Sequence, residues 1–182
     1  MKATGIVRRI DDLGRVVIPK EIRRTLRLRE GTPLEIFTDR EGEIILKKYS
    51  PMMELNAFAS QYADAMAQST GLMVCITDRD QVIAASGGAK KEHLQKPISR
   101  QLEHVIQERM TVQAGKDDRA YTPVASEEPE GVTAQVIAPI ICEGDAIGSV
   151  IIMSKEPRAR FTDAEVRLAS TAAGFLGRQM ES

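Results

Sequence analysis

The sequence predicts an α+β protein made of a small basic N-terminal unit followed by a larger domain of helices and strands. Two short apolar hairpins enclose one short helix in the first fifty residues, and longer alternating elements follow the Ser50-Pro51 dipeptide. With 182 residues the chain is long enough for two such units. We expect one domain at 1–50, a linking helix at 51–70 and a second domain at 71–182.

Charge is distributed very unevenly along the chain. Residues 1–29 carry nine basic and three acidic side chains, a net of +6, so that residues 30–182 must sum to −7 to give the overall −1. This asymmetry indicates an anionic partner for the N-terminal unit only. Seven of the nine basic residues are arginines, which suit bidentate contacts with phosphate or guanine. They are Lys2, Arg8, Arg9, Arg15, Lys20, Arg23, Arg24, Arg27 and Arg29.

The N-terminal unit is predicted to consist of two strands, one helix and two further strands (ββαββ). Strands are predicted at 4–10 and 15–18 around an Asp12-Leu13-Gly14 turn, because glycine tolerates the positive φ of tight hairpins. Pro19 ends the second strand and suits the first turn of a helix over 20–26. A second hairpin is predicted from strands at 33–38 and 43–47. Since about fifty residues bury little apolar surface and leave strand edges bare, we expect an intertwined dimer.

The second domain is predicted to begin with a helix over 52–69, followed by strands at 72–77 and 81–86. A flexible loop is expected at 86–89, an amphipathic helix at 98–110 and a short strand at 121–124. The most apolar strands, 133–141 and 146–153, should be the central ones. The last helix begins near Phe161, where Thr162 and Glu165 have the spacing of a capping box.

That last helix is predicted to be apolar on two sides and therefore covered on two sides. One side can pack on the domain's own sheet while the other meets the helix at 52–69 in a four-helix bundle between two chains. One stripe is Val166, Ala169, Ala173, Leu176 and Met180, and the other is Leu168, Ala172 and Phe175.

Nothing in the sequence predicts an enzyme, a metal site or a membrane span. Cys75 and Cys142 lie in apolar strands and are expected to be buried thiols, while His93 and His104 are expected at the surface. These residues have no metal-ligand spacing. Asp11, Asp12 and Glu21 are interpreted as turn residues and arginine partners, not as paired catalytic carboxylates. With no apolar run of spanning length and no signal-peptide pattern, a cytoplasmic protein is expected.

The N-terminal residues closely resemble the AbrB family of transition-state regulators. The resemblance rests on Thr4-Gly-Ile-Val-Arg8, Asp12-Leu-Gly-Arg-Val-Val-Ile-Pro19, Arg23-Arg-Thr-Leu26 and Ile44-Ile-Leu-Lys-Lys-Tyr49. It implies a swapped-hairpin, looped-hinge-helix dimer that binds double-stranded DNA. It also implies an activator and repressor of sporulation genes at the nucleoid and in the forespore. The implied DNA-binding residues are Arg8, Arg15, Arg23 and Arg24, with Lys2, Thr4 and Arg9 as additions from the same hairpin.

The second domain resembles a GAF domain, a sensor fold with a central antiparallel sheet between helices. Pro139-Ile-Ile-Cys-Glu-Gly-Asp-Ala-Ile-Gly148 and Phe161-Thr-Asp-Ala-Glu165 carry this resemblance, which also implies a tetramer joined through GAF pairs. A ligand pocket would be lined by 86–90, the helix from Ile98 and the strand 133–141. The alternatives are a GAF domain used only for pairing and one that binds an unidentified small molecule.

Two further functions are weaker alternatives to a DNA-binding regulator. Related swapped-hairpin folds serve as antitoxins, but the sizeable second domain argues against that role. Some GAF-like proteins are methionine sulfoxide reductases that use several cysteines, whereas this chain has two, both within strands. A sensor that switches DNA affinity through the helix at 52–69 stays open as the main alternative.

Overall fold

The structure is a computed structural model that describes residues 5–49, 56–127 and 129–181, with only the backbone described at Asn56 and Ala57. Its contacts divide the chain into one unit at 1–49 and a second at 50–182. Each unit is described by itself below.

The first unit contains the predicted short helix and the predicted second hairpin. Helix α1 spans Lys20–Thr25, and strands β1 (Leu34–Thr38) and β2 (Ile44–Lys48) pair antiparallel with Leu34 opposite Lys48. Asp39 closes the connecting turn, because its Oδ1 accepts the backbone N–H groups of Glu41 at 3.0 Å and Glu43 at 2.9 Å. This half of the ββαββ prediction is confirmed.

The two strands predicted at 4–10 and 15–18 do not form in the single chain, and that part of the prediction is wrong for it. Residues 5–11 and 15–18 lie outside any strand ladder, and Thr4 lies outside the described residues. The turn between them does form, with the Asp11 N–H donating to the Arg15 carbonyl and the Gly14 N–H to the Asp11 carbonyl, both at 3.0 Å. A strand needs a neighbouring strand for its ladder, and within the described chain these segments have none.

The second unit is built on a five-stranded antiparallel sheet of order β4-β3-β7-β6-β5. The strands are β3 (Met73–Thr77), β4 (Val82–Ser86), β5 (Val112–Gly115), β6 (Ala134–Cys142) and β7 (Asp145–Ser154). The two longest strands, β6 and β7, lie at interior positions, which confirms the prediction made from their nearly continuous apolar sequences.

Helices cover both faces of this sheet. Helices α2 (Asn56–Thr70) and α5 (Asp163–Gln179) pack on one face around Ile76, Val136 and Ile152. Helices α3 (Lys90–His93) and α4 (Arg100–Gln107) cover the other face with the loops around Val124 and Val132. Side chains alternate between the two faces along each strand, so the sheet separates two apolar cores.

Several local predictions for this unit are wrong. The helix expected at 98–110 begins at Arg100, because Ser99 caps it by accepting the Leu102 N–H at 3.0 Å. The strand expected at 121–124 is absent, and a strand forms instead at β5, where Ala114 pairs with Gln135. The loop predicted at 86–89, by contrast, does form: the chain turns at Gly87 and Gly88, both with positive φ, and leads into α3.

Helix α5 confirms the predicted capping box. The Thr162 side chain accepts the Ala164 N–H at 3.2 Å, and the Glu165 carboxylate accepts the Thr162 N–H at 2.6 Å. That last hydrogen bond is the main reason why the pKa of Glu165 lies below its ordinary value. A Cβ at Gly177 would overlap the Ile141 carbonyl oxygen, so the end of α5 lies directly on β6.

The two apolar stripes predicted on α5 meet different environments. Ala169, Ala173 and Leu176 are buried against the sheet, and so is Ala172, which we had placed on the other stripe. Phe175 remains 40 % exposed although its ring stacks on Tyr62 of α2 with 5.5 Å between ring centroids. An apolar surface therefore remains on the side of α5 that faces away from the sheet.

Candidate nucleic-acid interface

The predicted DNA-binding arginines are all at the surface of the first unit. Arg8 and Arg9 lie on the extended segment before the first turn, Arg15 lies just after that turn, and Arg23 and Arg24 lie on α1. All five are exposed. Lys2 and Thr4, the other two predicted site residues, lie outside the described residues.

Arg15 is the arginine whose orientation the structure defines best. Its Nε donates to Asp11 Oδ2 at 2.8 Å, while Asp11 Oδ1 accepts the backbone N–H groups of Leu13 at 3.0 Å and Arg15 at 2.8 Å. These bonds, the backbone bond from Arg15 first, hold the pKa of Asp11 below its ordinary value. Because Asp11 accepts a side-chain hydrogen bond only from Nε of Arg15, the two terminal guanidinium nitrogens of Arg15 stay available to bind a phosphate or a guanine.

Helix α1 presents its arginines in its last turn. Pro19 precedes the helix with φ −57° and ψ 149°, and the Arg23 N–H donates to the Pro19 carbonyl at 2.9 Å. Arg23 and Arg24 complement the partial negative charge at the carboxyl end of the helix. None of the residues of α1 is buried, so both guanidinium groups are free to meet a ligand.

Three further basic residues, which were not among the predicted DNA-binding residues, lie in the first unit: Arg27, Lys47 and Lys48. Arg27 follows α1 with a left-handed φ of 51°, and its carbonyl accepts the Lys48 ammonium at 3.2 Å. The neighbouring Lys47 lies with its Nζ 4.6 Å from the centroid of the Phe37 ring. The signal in the sequence was the Lys47-Lys48 pair at the end of β2, which extends the positive charge beyond residue 29.

The first unit also exposes many large apolar side chains. Val7 is 87 % exposed, and Leu13 and Val17 are 70 % each. The others, on the same segments, on α1 and on the second hairpin, are Ile6, Ile10, Val16, Leu26, Ile36, Phe37, Ile44, Leu46 and Tyr49. An apolar surface of this extent in about forty-five residues is typical of a chain that is completed by a partner.

The residues considered for catalysis have no catalytic arrangement. Cys75 is buried as predicted, whereas Cys142 is half-buried, and neither is in a disulfide bond. Desolvation, with Glu143, Glu181 and Asp145 nearby, raises the pKa of Cys142, which disfavours the reactive thiolate. His104 is exposed as predicted, but His93, at the end of the short helix α3, is fully buried, so the prediction for it is wrong.

Metal sites and membrane spans are absent from the described residues, and the second unit contains a cleft. Over 5–49, 56–127 and 129–181, no group of three or more His, Cys, Asp or Glu side chains is placed to bind a metal, and no helix could cross a bilayer. A cleft of about 650 Å³ lies between β5 and residues 158–161, lined mainly by 113–118. The segments expected to line a ligand pocket instead contribute Ala89, Ile98 and Ile137 to a packed core.

Comparison with solved structures supports the GAF fold of the second unit. The blue-light absorbing form of the PixJ GAF domain from Thermosynechococcus elongatus matches with a TM-score of 0.57, covering 74 % of this chain and 89 % of that one at 15 % identity. A GAF region of a putative membrane protein from Geobacter sulfurreducens matches at 0.54, covering 70 % and 93 % at 15 % identity. A free methionine-R-sulfoxide reductase from Thermoplasma acidophilum matches at 0.53 and 16 % identity, over 69 % of this chain and 94 % of that one. Such low identities establish the fold alone.

Sequence comparison identifies the family. A model described as the stage V sporulation protein T C-terminal transcription factor matches residues 54–181, and a model of the MazE antitoxin matches 7–53. The transition state regulatory protein AbrB of Bacillus subtilis is 50 % identical over 41 % of this chain and 76 % of its own length. Stage V sporulation protein T of Bacillus subtilis is 54 % identical over all of this chain and 99 % of its own length. The chain therefore belongs to the stage V sporulation protein T family, with an AbrB-like region followed by a GAF-like domain.

Proposed function

We propose that this protein is a transcriptional regulator that binds double-stranded DNA through paired N-terminal units and acts on sporulation genes. One observation carries the proposal: Arg8, Arg9, Arg15, Arg23 and Arg24 are all exposed, and they lie within residues 1–29, whose net charge is +6. Exposed arginines neutralise phosphates and enter grooves, and no group of side chains is placed to bind a metal among the described residues of this unit. The family membership supports the same function.

The unit that meets DNA is proposed to be a dimer. The extended segments on either side of the Asp11–Arg15 turn have exposed apolar side chains and no ladder within the described chain. A second copy could supply the missing strands and cover these side chains, giving the swapped-hairpin arrangement. Pairing would also place two sets of arginines on one surface. Two such dimers are proposed to form a tetramer through α2 and α5, in a protein that works in the cytoplasm at the nucleoid.

We propose that each of three segments of the chain has its own role. Residues 1–50 would bind DNA and pair, residues 51–70 would connect, and residues 71–182 would regulate and oligomerise. Activation of some promoters and repression of others would depend on where the dimer lies relative to the promoter. We propose no enzymatic activity, because the similarity to a reductase is one of fold and the Cys142 thiol is not activated.

The salt dependence of DNA binding tests the electrostatic basis of this function. If each copy in the dimer neutralises about five phosphates, log K against log salt concentration should have a slope of about −9, at roughly −0.9 for each of about ten contacts. Fluorescence anisotropy with a labelled random-sequence duplex measures this slope. An affinity independent of salt would contradict the proposal.

A second candidate function, ligand sensing by the GAF-like domain, is favoured by one buried side chain. Gln135 on β6 is fully buried, and neither amide atom has a hydrogen-bond partner among the described residues. Its strand neighbours Ala114 and Met153 offer no side-chain partner, and leaving an amide unsatisfied is costly. A small molecule with both a donor and an acceptor would satisfy it.

Native mass spectrometry and thermal shift test this sensor function. A retained ligand, or a rise in melting temperature with an amide-containing or nucleobase-containing metabolite, should disappear in Gln135→Leu. If no ligand is retained and Gln135→Leu is as stable as the wild type or more so, the domain serves only for pairing. Gln101→Leu, the same change at an exposed position of α4, would be the matched control.

A further inference from the structure

Arg27 occupies a backbone position that helices usually give to glycine. After α1 the Arg27 N–H donates to the Arg24 carbonyl at 3.3 Å and the Leu28 N–H donates to the Arg23 carbonyl at 2.7 Å. This pair of bonds is a Schellman motif, and Arg27 is the residue in its left-handed position, with a φ of 51°. A side chain in that region is strained by contact between Cβ and the backbone. Glycine would be accommodated there without this cost.

Strain alone does not assign a function, because the chain has a second arginine in the same position. Helix α4 ends in a Schellman motif in which Arg109 has a φ of 56°, with the Arg109 N–H on the Ile106 carbonyl at 3.0 Å and the Met110 N–H on the Val105 carbonyl at 3.1 Å. A cation at the carboxyl end of a helix is favourable in itself. The surroundings of the two arginines must therefore decide between a structural and a functional role.

The surroundings of Arg27 are those of an anion-binding surface. Within four residues of it the chain has three other basic side chains, Arg23, Arg24 and Arg29, and one acidic side chain, Glu30. Its carbonyl brings the Lys48 ammonium to within 3.2 Å, so charge from β2 joins charge from α1. Arg109 has no basic residue within four positions and has Glu108 beside it. Concentrated positive charge of this kind attracts a polyanion and repels isolated cations.

We propose that Arg27 is a further DNA contact, which extends the arginine surface from the end of α1 toward Lys48. The guanidinium is exposed and forms no ion pair with another described residue, so it can bind a phosphate without first leaving a partner. An arginine in a left-handed position lowers the folding stability relative to a glycine there. A contact between Arg27 and DNA would explain why an arginine stands at this position. This inference rests on the proposed DNA-binding function.

The test separates stability from binding by comparing three full-length variants. Arg27→Gly removes both the strain and the cation, Arg27→Ala removes the cation but keeps Cβ, and Arg109→Gly removes the same strain in the other unit. Both glycine variants should keep or raise the melting temperature of the wild type. Only the two Arg27 variants should bind a labelled random-sequence duplex more weakly, by about 30-fold at 0.15 M salt for two lost contacts in a dimer.

The salt slope distinguishes a direct phosphate contact from an indirect effect. It should become shallower by up to about 1.8 in both Arg27 variants and stay unchanged in Arg109→Gly. If the wild type binds with a steep slope and Arg27→Ala matches it within about twofold, Arg27 is a structural cation and this inference fails alone. If the wild type shows no salt-dependent binding, the proposed function fails as well.

Discussion

Replacing Arg23 and Arg24 together by alanine should reduce the affinity for duplex DNA about a thousandfold at 0.15 M salt. A dimer would lose four guanidinium groups from the last turn of α1, where both side chains are exposed. Each lost phosphate contact removes about 0.9 from the slope of log K against log salt concentration. If the variant and the wild type bind equally at 1 M salt, four lost contacts lower log K by about three at 0.15 M salt. Fluorescence anisotropy across a salt series gives both the affinity and its slope, which should become shallower by up to about 3.6.

The matched control removes the same charge from the other unit. Arg100→Ala with Arg119→Ala deletes two exposed arginines from the GAF-like domain and should leave affinity and slope within about twofold of the wild type. Circular dichroism and sedimentation should show that the Arg23/Arg24 variant still folds and assembles, because no residue of α1 is buried. A thousandfold loss in the control as well would mean that net charge, and not this surface, drives binding.

The sequence predicted most of the GAF-like domain because its signals are local. The capping box of α5 needs only Thr162 and Glu165. The observed hydrogen bonds and the observed start of the helix both agree with the predicted box. The nearly continuous apolar runs of β6 and β7 identify central strands without knowledge of their partners. Strand β5 was missed because Val112–Gly115 is short and only half apolar, and it is defined by its pairing with β6.

The first unit shows the opposite case, in which a local strand pattern does not produce strands in the single chain. Val7, Val16 and Val17 have the β-branched side chains of strands, yet they stay exposed and outside a ladder. Strand pairing depends on a partner, and the prediction of an intertwined dimer already implied that one chain would not supply it.

The candidate DNA site could be predicted as residue types but not as geometry. Counting charge located the arginines, whereas the Asp11–Arg15 pair and the Lys48–Arg27 contact depend on turns that bring the groups together. Asp11 was expected to partner a nearby arginine, and it does so with Arg15 at 2.8 Å. A left-handed backbone at Arg27 has no sequence signal, since arginine is rare there and glycine would have been the indicator.

If the protein forms the proposed tetramer, Phe175→Asp should convert it into dimers while each dimer keeps its DNA-binding surface. The ring of Phe175 is 40 % exposed and lies 5.5 Å from Tyr62 and 5.9 Å from Phe58, measured between ring centroids, so the three rings form one aromatic surface across α2 and α5. Aromatic surfaces of this kind are typical of interface centres. A carboxylate placed there would have to lose its water in the assembled protein, and that cost opposes association.

Sedimentation equilibrium measures the outcome directly. The proposed tetramer of four 20.0 kDa chains would have a mass of about 80 kDa, and the variant should give about half of that. Ser170→Asp, an exposed position of α5 outside the aromatic surface, is the matched control and should remain tetrameric. The salt slope of each dimer should be unchanged in Phe175→Asp, while binding to DNA with two spaced sites should weaken because the two dimers no longer act together. A variant that stays at the wild-type mass would show that this aromatic surface is not where the dimers meet.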